Sequence, residues 1–205
     1  MPRLGCNGEC GRVEASIKAY LDIETCASGD VTVVGIFRED RGFVQLVGGQ
    51  ITDVTVCDAL EGVDTICTFN GDRFDLPILE RQVRVDLRAH FKSLDLLTAC
   101  RRAGLKGGLK RLEERFGIAR TTRGLNGFDA LRLWARYQDE RDEAALELLL
   151  TYNREDVLNL LHLERLVIGV GLVESSEGEG AIAASPSVES QSVLPGLAPE
   201  QSANG

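Results

Sequence analysis

Between Ile17 and Thr25 the chain alternates, with Ile17, Ala19, Leu21 and Ile23 apolar and Lys18, Tyr20, Asp22 and Glu24 on the other register. A period of two predicts a strand. Two more strand-like runs, Val31 to Phe37 and Gly42 to Val47, follow across the turn-forming segments Ala-Ser-Gly-Asp and Glu-Asp-Arg-Gly. Three strands joined so tightly predict an antiparallel meander. Residues 51–60 are mixed and compatible with a helix, and Asp64 to Phe69 reads as a fourth strand ending at Asn70-Gly71. From Asp75 the pattern turns helical. Asp75-Leu-Pro-Ile-Leu-Glu suits a helix start, with Pro77 tolerated in the first turn. Gly107 to Phe116 is amphipathic and stops at Gly117. Phe128 to Tyr137 and Asp142 to Val167 predict the last two helices, while Ser93 to Leu97 suits either a short fifth strand or a helix start. The expected fold is α/β: a mixed five-stranded sheet, antiparallel meander then parallel strands, flanked by helices. It should occupy residues 16–173, with 1–15 an N-terminal extension and 174–205 a disordered acidic tail of Ser, Glu, Gly, Ala and Pro.

Length and composition narrow the classes. The 205 residues suit one domain with a sizeable core. No apolar run approaches the ~18 residues of a membrane-spanning helix, and the N-terminus lacks the apolar core of a secretion signal. A cytoplasmic protein without a membrane partner is expected. Six cysteines, at 6, 10, 26, 57, 67 and 100, show no disulfide framework. Cys57, Cys67 and Cys100 lie in apolar surroundings and should behave as small buried hydrophobes. Cys6 and Cys10 form half a zinc motif with no second half nearby, and His90 and His162, the only histidines, read as structural or surface residues. The net charge of −9 is unevenly spread. Residues 81–123 hold twelve Lys or Arg against four acids, while 174–205 hold five acids and no base. A basic middle suits a protein that holds a polyanion, and equally a pair of helices with solvated faces.

Three acidic stretches, far apart in sequence, carry the candidate chemistry. Asp22 and Glu24 are two apart on the first strand and share a face, with Thr25 next. They could hold one cation, or simply end a strand in solvent. Asp75 follows Phe74 at a loop-to-helix junction, five residues after Asn70. It could face a site at the sheet edge or cap its own helix. Asp72 reads as a turn residue, and Asp95 as the end of a strand. Tyr152 and Asp156 are four apart in a helix and therefore neighbours on one face. The tyrosine could bond the aspartate, or steer a water while the aspartate holds a metal. Gathered together, such carboxylates would repel one another unless cations sat between them.

Together these segments resemble the tyrosine-containing branch of the DEDD superfamily of 3′→5′ exonucleases, whose fold is ribonuclease H-like. Leu-Asp-Ile-Glu-Thr at 21–25 looks like its first motif, Phe69-Asn70-Gly-Asp-Arg-Phe74-Asp75 like its second in the wider spacing of family B polymerase proofreading domains, and Tyr152-Asn-Arg-Glu-Asp156 like its third. The histidine branch would place a His where Thr151 stands. Asp95-Leu-Leu, the helix from Leu109 to Ile118 and the ending at 152–160 are similar to stand-alone YprB-like exonucleases, and the likeness spans about 17–168. It implies that Asp22, Glu24, Asp75 and Asp156 ligate two Mg²⁺ or Mn²⁺ ions, with Asp22 bridging them and Tyr152 placing the attacking water. Oxygen-only ligands favour such hard cations. The expected partner is the 3′ end of DNA or RNA, single-stranded at the site, with Thr25, Asn70, Phe74, Lys106, Lys110 and Arg111 as candidate substrate contacts. A non-catalytic nucleic-acid or protein-binding module of the same fold, and an endonuclease sharing the metals, are the alternatives.

Overall fold

The alternating segment becomes the centre of the sheet. In a computed structural model, which describes residues 16–169, β1 (Lys18–Thr25) lies between β2 (Val31–Arg38) and β4 (Thr65–Thr68). The order continues outward to β3 (Gly42–Val47) on one side and β5 (Lys92–Asp95) on the other. The β1–β2 and β2–β3 pairs are antiparallel, and β1–β4 and β4–β5 are parallel. This is the expected mixed sheet. The parallel strands need helical crossovers, and those helices coat both faces.

One face carries α1 (Asp53–Ala59), α2 (Asp75–Val83) and α3 (Leu87–His90). Their Val56, Leu76, Leu79 and Leu87 pack with Ala19, Leu21 and Ile36. The other face carries α4 (Leu96–Arg102), α5 (Leu109–Phe116), α6 (Gly127–Glu140) and α7 (Glu143–Gly169). There Leu112, Val157, Leu160 and Leu163 close over Tyr20 and Cys67, while Leu133 and Leu149 close over Val33. The alternation in β1 therefore separates two cores rather than core from solvent. Tyr20, on the register that looked polar, is 2% exposed.

Several boundaries differ from the sequence expectation for physical reasons. The ambiguous segment at 93–97 is both things at once: β5 ends at Asp95, whose carboxylate then accepts from Leu97 N at 2.9 Å to cap α4. The short α3 is capped by Asp86 and too brief to show a period. Cys67 and Cys100 are buried as expected, but Cys57 is exposed on the outer side of α1, which is too short to bury more than Val56. The extension 1–15, the tail 174–205 and the Cys6–Cys10 pair lie outside the described residues. No helix among the described residues is long and apolar enough to cross a membrane.

Helix α7 packs directly on the sheet at Gly35, the partner of Asp22 across the β1–β2 ladder. A Cβ there would overlap Asn153 Oδ1 and stand 2.8 Å from Val157 Cγ2. Only glycine leaves room for the helix. Replacing Gly35 by Ala should cost about 1–3 kcal/mol, the usual penalty of overpacking. Urea unfolding against the wild type measures it, and an unchanged midpoint would contradict the tight contact.

Candidate active site

The site forms where β1 runs out beneath α7. Asp22 and Glu24 point toward the face of the sheet that α7 covers. Asp156, one turn after Tyr152, meets them from above. One carboxylate oxygen from each of Asp22, Glu24 and Asp156 lies within 4.8 Å of the others, a spacing that fits a shared cation. Asp22 is half-buried, and Glu24 and Asp156 are buried. Asn153 fixes Asp22 by donating from Nδ2 to Oδ2 at 3.0 Å and to the backbone carbonyl at 3.2 Å. Asn153 is in turn oriented by Gln45, whose Nε2 donates to its Oδ1 at 2.9 Å.

Asp75 approaches them from the first residue of α2, at the end of the loop that follows β4. It does not cap its own helix. Its Oδ1 accepts the backbone N–H of Ile23 at 3.1 Å, between the two β1 carboxylates in sequence, and it lies outside the 4.8 Å group. Asn70 sits at φ 67°, and its N–H donates to Asp95 Oδ1 at 2.8 Å, so Asp95 braces the loop that delivers Asp75. Asp72 is an exposed loop residue bonded to Ser93.

Burial and mutual repulsion set the charge state. Burial, then the charges of Asp156, Asp75 and Glu24, push the Asp22 carboxyl well above the usual range. Burial and Asp156 do the same to Glu24. Asp75 is raised to about 7 by burial. Asp156 is raised to about 6 by burial, with Arg120 and Lys110 holding it down. A cluster that holds protons so tightly is a set of hard oxygen donors short of positive charge. Divalent ions would supply it, and Asp22, Glu24, Asp75 and Asp156 fit that role.

Tyr152 does not bond Asp156. Its hydroxyl accepts from Lys110 Nζ, which also stands 4.2 Å above its ring. Burial, then the charge of Asp156, keep that hydroxyl protonated. Lys110, half-buried at the start of α5, is thus part of the site. Lys106 and Arg111 are exposed and share a shallow depression with Glu114 and Arg115 that none of the four carboxylates lines. Thr25 and Phe74 line an apolar cleft of about 630 Å³ beside Glu24, together with Phe128. Phe128 is 77% exposed and Phe74 44% exposed. Phe128 is held at the first turn of α6 by Asn126, whose side chain accepts its N–H at 2.9 Å.

Sequence reasoning missed Phe128, Asn153 and above all Arg120. The Arg120 side chain, 5% exposed, pairs with Asp156, with Glu113 at 3.3 Å and with Glu155 at 3.5 Å. Asn153 could have been noticed from its place inside the third motif. Phe128 stands two residues after the helix-capping Asn126, and that place in a first turn is its one sequence signal. Nothing local marks Arg120.

A mixed sheet in this order, with a strand pair and a helix meeting over a carboxylate cluster, defines a ribonuclease H-like fold. A family model of the RNase H superfamily, RNase_H_2, matches residues 19–168, and the chain belongs to that superfamily. Its fold is similar to that of a family B DNA polymerase from the hyperthermophilic archaeon Pyrobaculum calidifontis, with TM-score 0.60 and 17% identity over 77% of this chain. The match covers 25% of the polymerase, so this chain spans about a quarter of its length. No curated protein matches the chain. The superfamily supports a nuclease-type role and the use of divalent metal.

The raised carboxyls make a stability prediction for the chelated protein. A folded pKa above the unfolded value contributes stability at low pH and loses it as pH rises through the folded value. With Asp75 moving from 3.8 to about 7 and Asp156 from 3.8 to about 6, the window runs from about pH 4 to pH 7. The melting temperature in EDTA should fall across that window, and added Mg²⁺ should reverse the loss at pH 7.5. A melting temperature that rises steadily over the window would overturn the assignment.

Proposed function

We propose that this protein is a metal-dependent 3′→5′ exonuclease that hydrolyses phosphodiester bonds at single-stranded nucleic-acid ends. The observation that carries the reading is the meeting of Asp22, Glu24 and Asp156 within 4.8 Å, beside Asp75 and Tyr152. The direction of attack follows the resemblance of the three motifs to tyrosine-branch exonucleases. Two Mg²⁺ or Mn²⁺ ions held by Asp22, Glu24, Asp75 and Asp156 would acidify a water and neutralise charge on the phosphate. The chain's own groups do the rest. Tyr152 keeps its proton, so it orients the attacking water by hydrogen bonding and does not serve as the base. Lys110, bonded to that hydroxyl, brings a positive charge to the place where a non-bridging phosphate oxygen would lie. The cleft between Phe74 and Phe128 offers two exposed rings next to the carboxylates, a platform for an unpaired terminal base. Such a platform suits a base free of its partner, which is the reason for a single-stranded end. Thr25 lines this cleft and the Asn70 carbonyl accepts the Phe74 N–H at 3.1 Å behind it, while Lys106 and Arg111 suit phosphates further along the strand.

Oligonucleotides labelled at the 3′ or the 5′ end, as DNA and as RNA, with circular controls, test the reading in Mn²⁺. Wild type should release the 3′ label first and spare the circles. Asp22→Ala should lose activity by about 10³-fold and Tyr152→Phe by about 10²-fold. Cleavage of circles would turn the reading to an endonuclease, and no cleavage of any substrate to a binding module.

Loss of one base platform should act on binding. Phe128→Ala is expected to raise KM about tenfold with little change in kcat, since stacking on an aromatic ring contributes roughly 1–3 kcal/mol per base. An unchanged KM would remove the cleft from the substrate path.

A further inference from the structure

Arg120 lies in the connection between α5 and α6, yet its side chain is buried among carboxylates. One end of the guanidinium, Nη2, donates to Asp156 Oδ1 and to the carbonyl of Tyr152 at 3.4 Å. Nη1 donates to Glu113 Oε2 at 3.3 Å. Nε is buried without a hydrogen-bond partner, and the nearest acid oxygen, Glu155 Oε2, is 3.5 Å away. Asp156 is thus only one of three acids around this cation, and the other two are anchored independently of it. Asn159 Nδ2 donates to Glu113 Oε1 at 2.8 Å. Glu155 accepts the N–H groups of Thr121 at 2.6 Å and Thr122 at 3.0 Å, as well as both hydroxyls.

We infer that Arg120 is a tethered counter-cation of the metal site, occupying Asp156 when no divalent ion is bound and giving it up on loading. The inference rests on the metal-binding reading above. An arginine cannot shed its proton, so its charge is permanent. It relieves the repulsion among Asp22, Glu24 and Asp156 in the metal-free fold, where burial alone would make those charges costly. The same charge makes Arg120 a competitor for Asp156. Glu113 and Glu155 give the guanidinium a place to stay when Asp156 turns away. The unpartnered Nε, half an ångström beyond ideal reach of Glu155, is the donor that such a shift would satisfy. An arginine serving the fold alone would need neither the surplus acids nor the open donor.

Calorimetric titration with Mn²⁺ alone tests this on the full chain, as wild type, Arg120→Met and Arg120→Lys, alongside thermal melting in EDTA. Arg120→Met should bind Mn²⁺ about tenfold more tightly, because a repelling charge beside the ion is gone, and should melt earlier in EDTA. Arg120→Lys keeps the charge and should bind Mn²⁺ about as wild type does. If the Met variant folds only when loaded, it is purified with Mn²⁺, and its slower ion loss to a competing chelator, followed by Mn²⁺ EPR, makes the same comparison. Equal or weaker binding by Arg120→Met, or equally tightened binding by Arg120→Lys, overturns the role of Arg120 alone. Wild type that takes up no Mn²⁺ overturns the metal site together with it.

Discussion

The contact between α7 and the two central strands decides everything else in the molecule. Gly35 has no side chain, so Asn153 and Val157 can rest directly on β2. At that depth Asn153 reaches the Asp22 carboxylate and its carbonyl. The same depth lowers Asp156 into range of Asp22 and Glu24. A helix one methyl group higher would still bury Leu149, Leu160 and Leu163, but the carboxylates would not meet. Packing of apolar residues supplies the adhesion, and a missing side chain sets the distance.

That approach creates an electrostatic problem which the surroundings answer in layers. Four acids gathered in a poorly solvated place resist ionisation. Lys110 and Arg120 bring positive charge from α5 and the following connection. Glu113 and Glu155 then hold Arg120, and Asn159, Thr121 and Thr122 hold those two acids. Glu155 shows how effective such holding is: although burial opposes ionisation, the bonds from Thr121 and Thr122 keep its carboxyl down to about 2. The result is a graded shell in which the inner acids are only partly compensated and Glu155, outside them, is held fully ionised.

The inner carboxylates were legible in the sequence because each falls at the edge of a periodic element. Asp22 and Glu24 end an alternating strand, Asp75 opens a helix, and Tyr152 and Asp156 share a helical face. The sheet was legible for the same reason, since turn residues bracket every run in the meander. Arg120 was not legible. It follows Gly117 in a stretch with no period, among eleven other basic residues between 81 and 123, and only the folded chain selects it from them. Phe128 opens a predicted helix, but its exposure depends on which face of α6 meets α7. Asp75 left two roles open, and the choice rested on a bond to Ile23 that no local spacing encodes.

At its distal end α7 carries Glu164, buried against Tyr20, with Lys18 Nζ at 2.7 Å. It sits eight residues beyond Asp156, about 12 Å along the axis. Both anchors grip the same strand, β1. The helix is therefore a beam clamped at two supports, and a tilt that spread the acids at one end would have to tear the buried Tyr20–Glu164 bond and the half-exposed Lys18 pair at the other. The gap between strand and helix carboxylates behaves as a fixed gauge. Cations of different radius must then be met by rotation of side chains, because the strand and the helix that frame them are bonded to each other at both anchors.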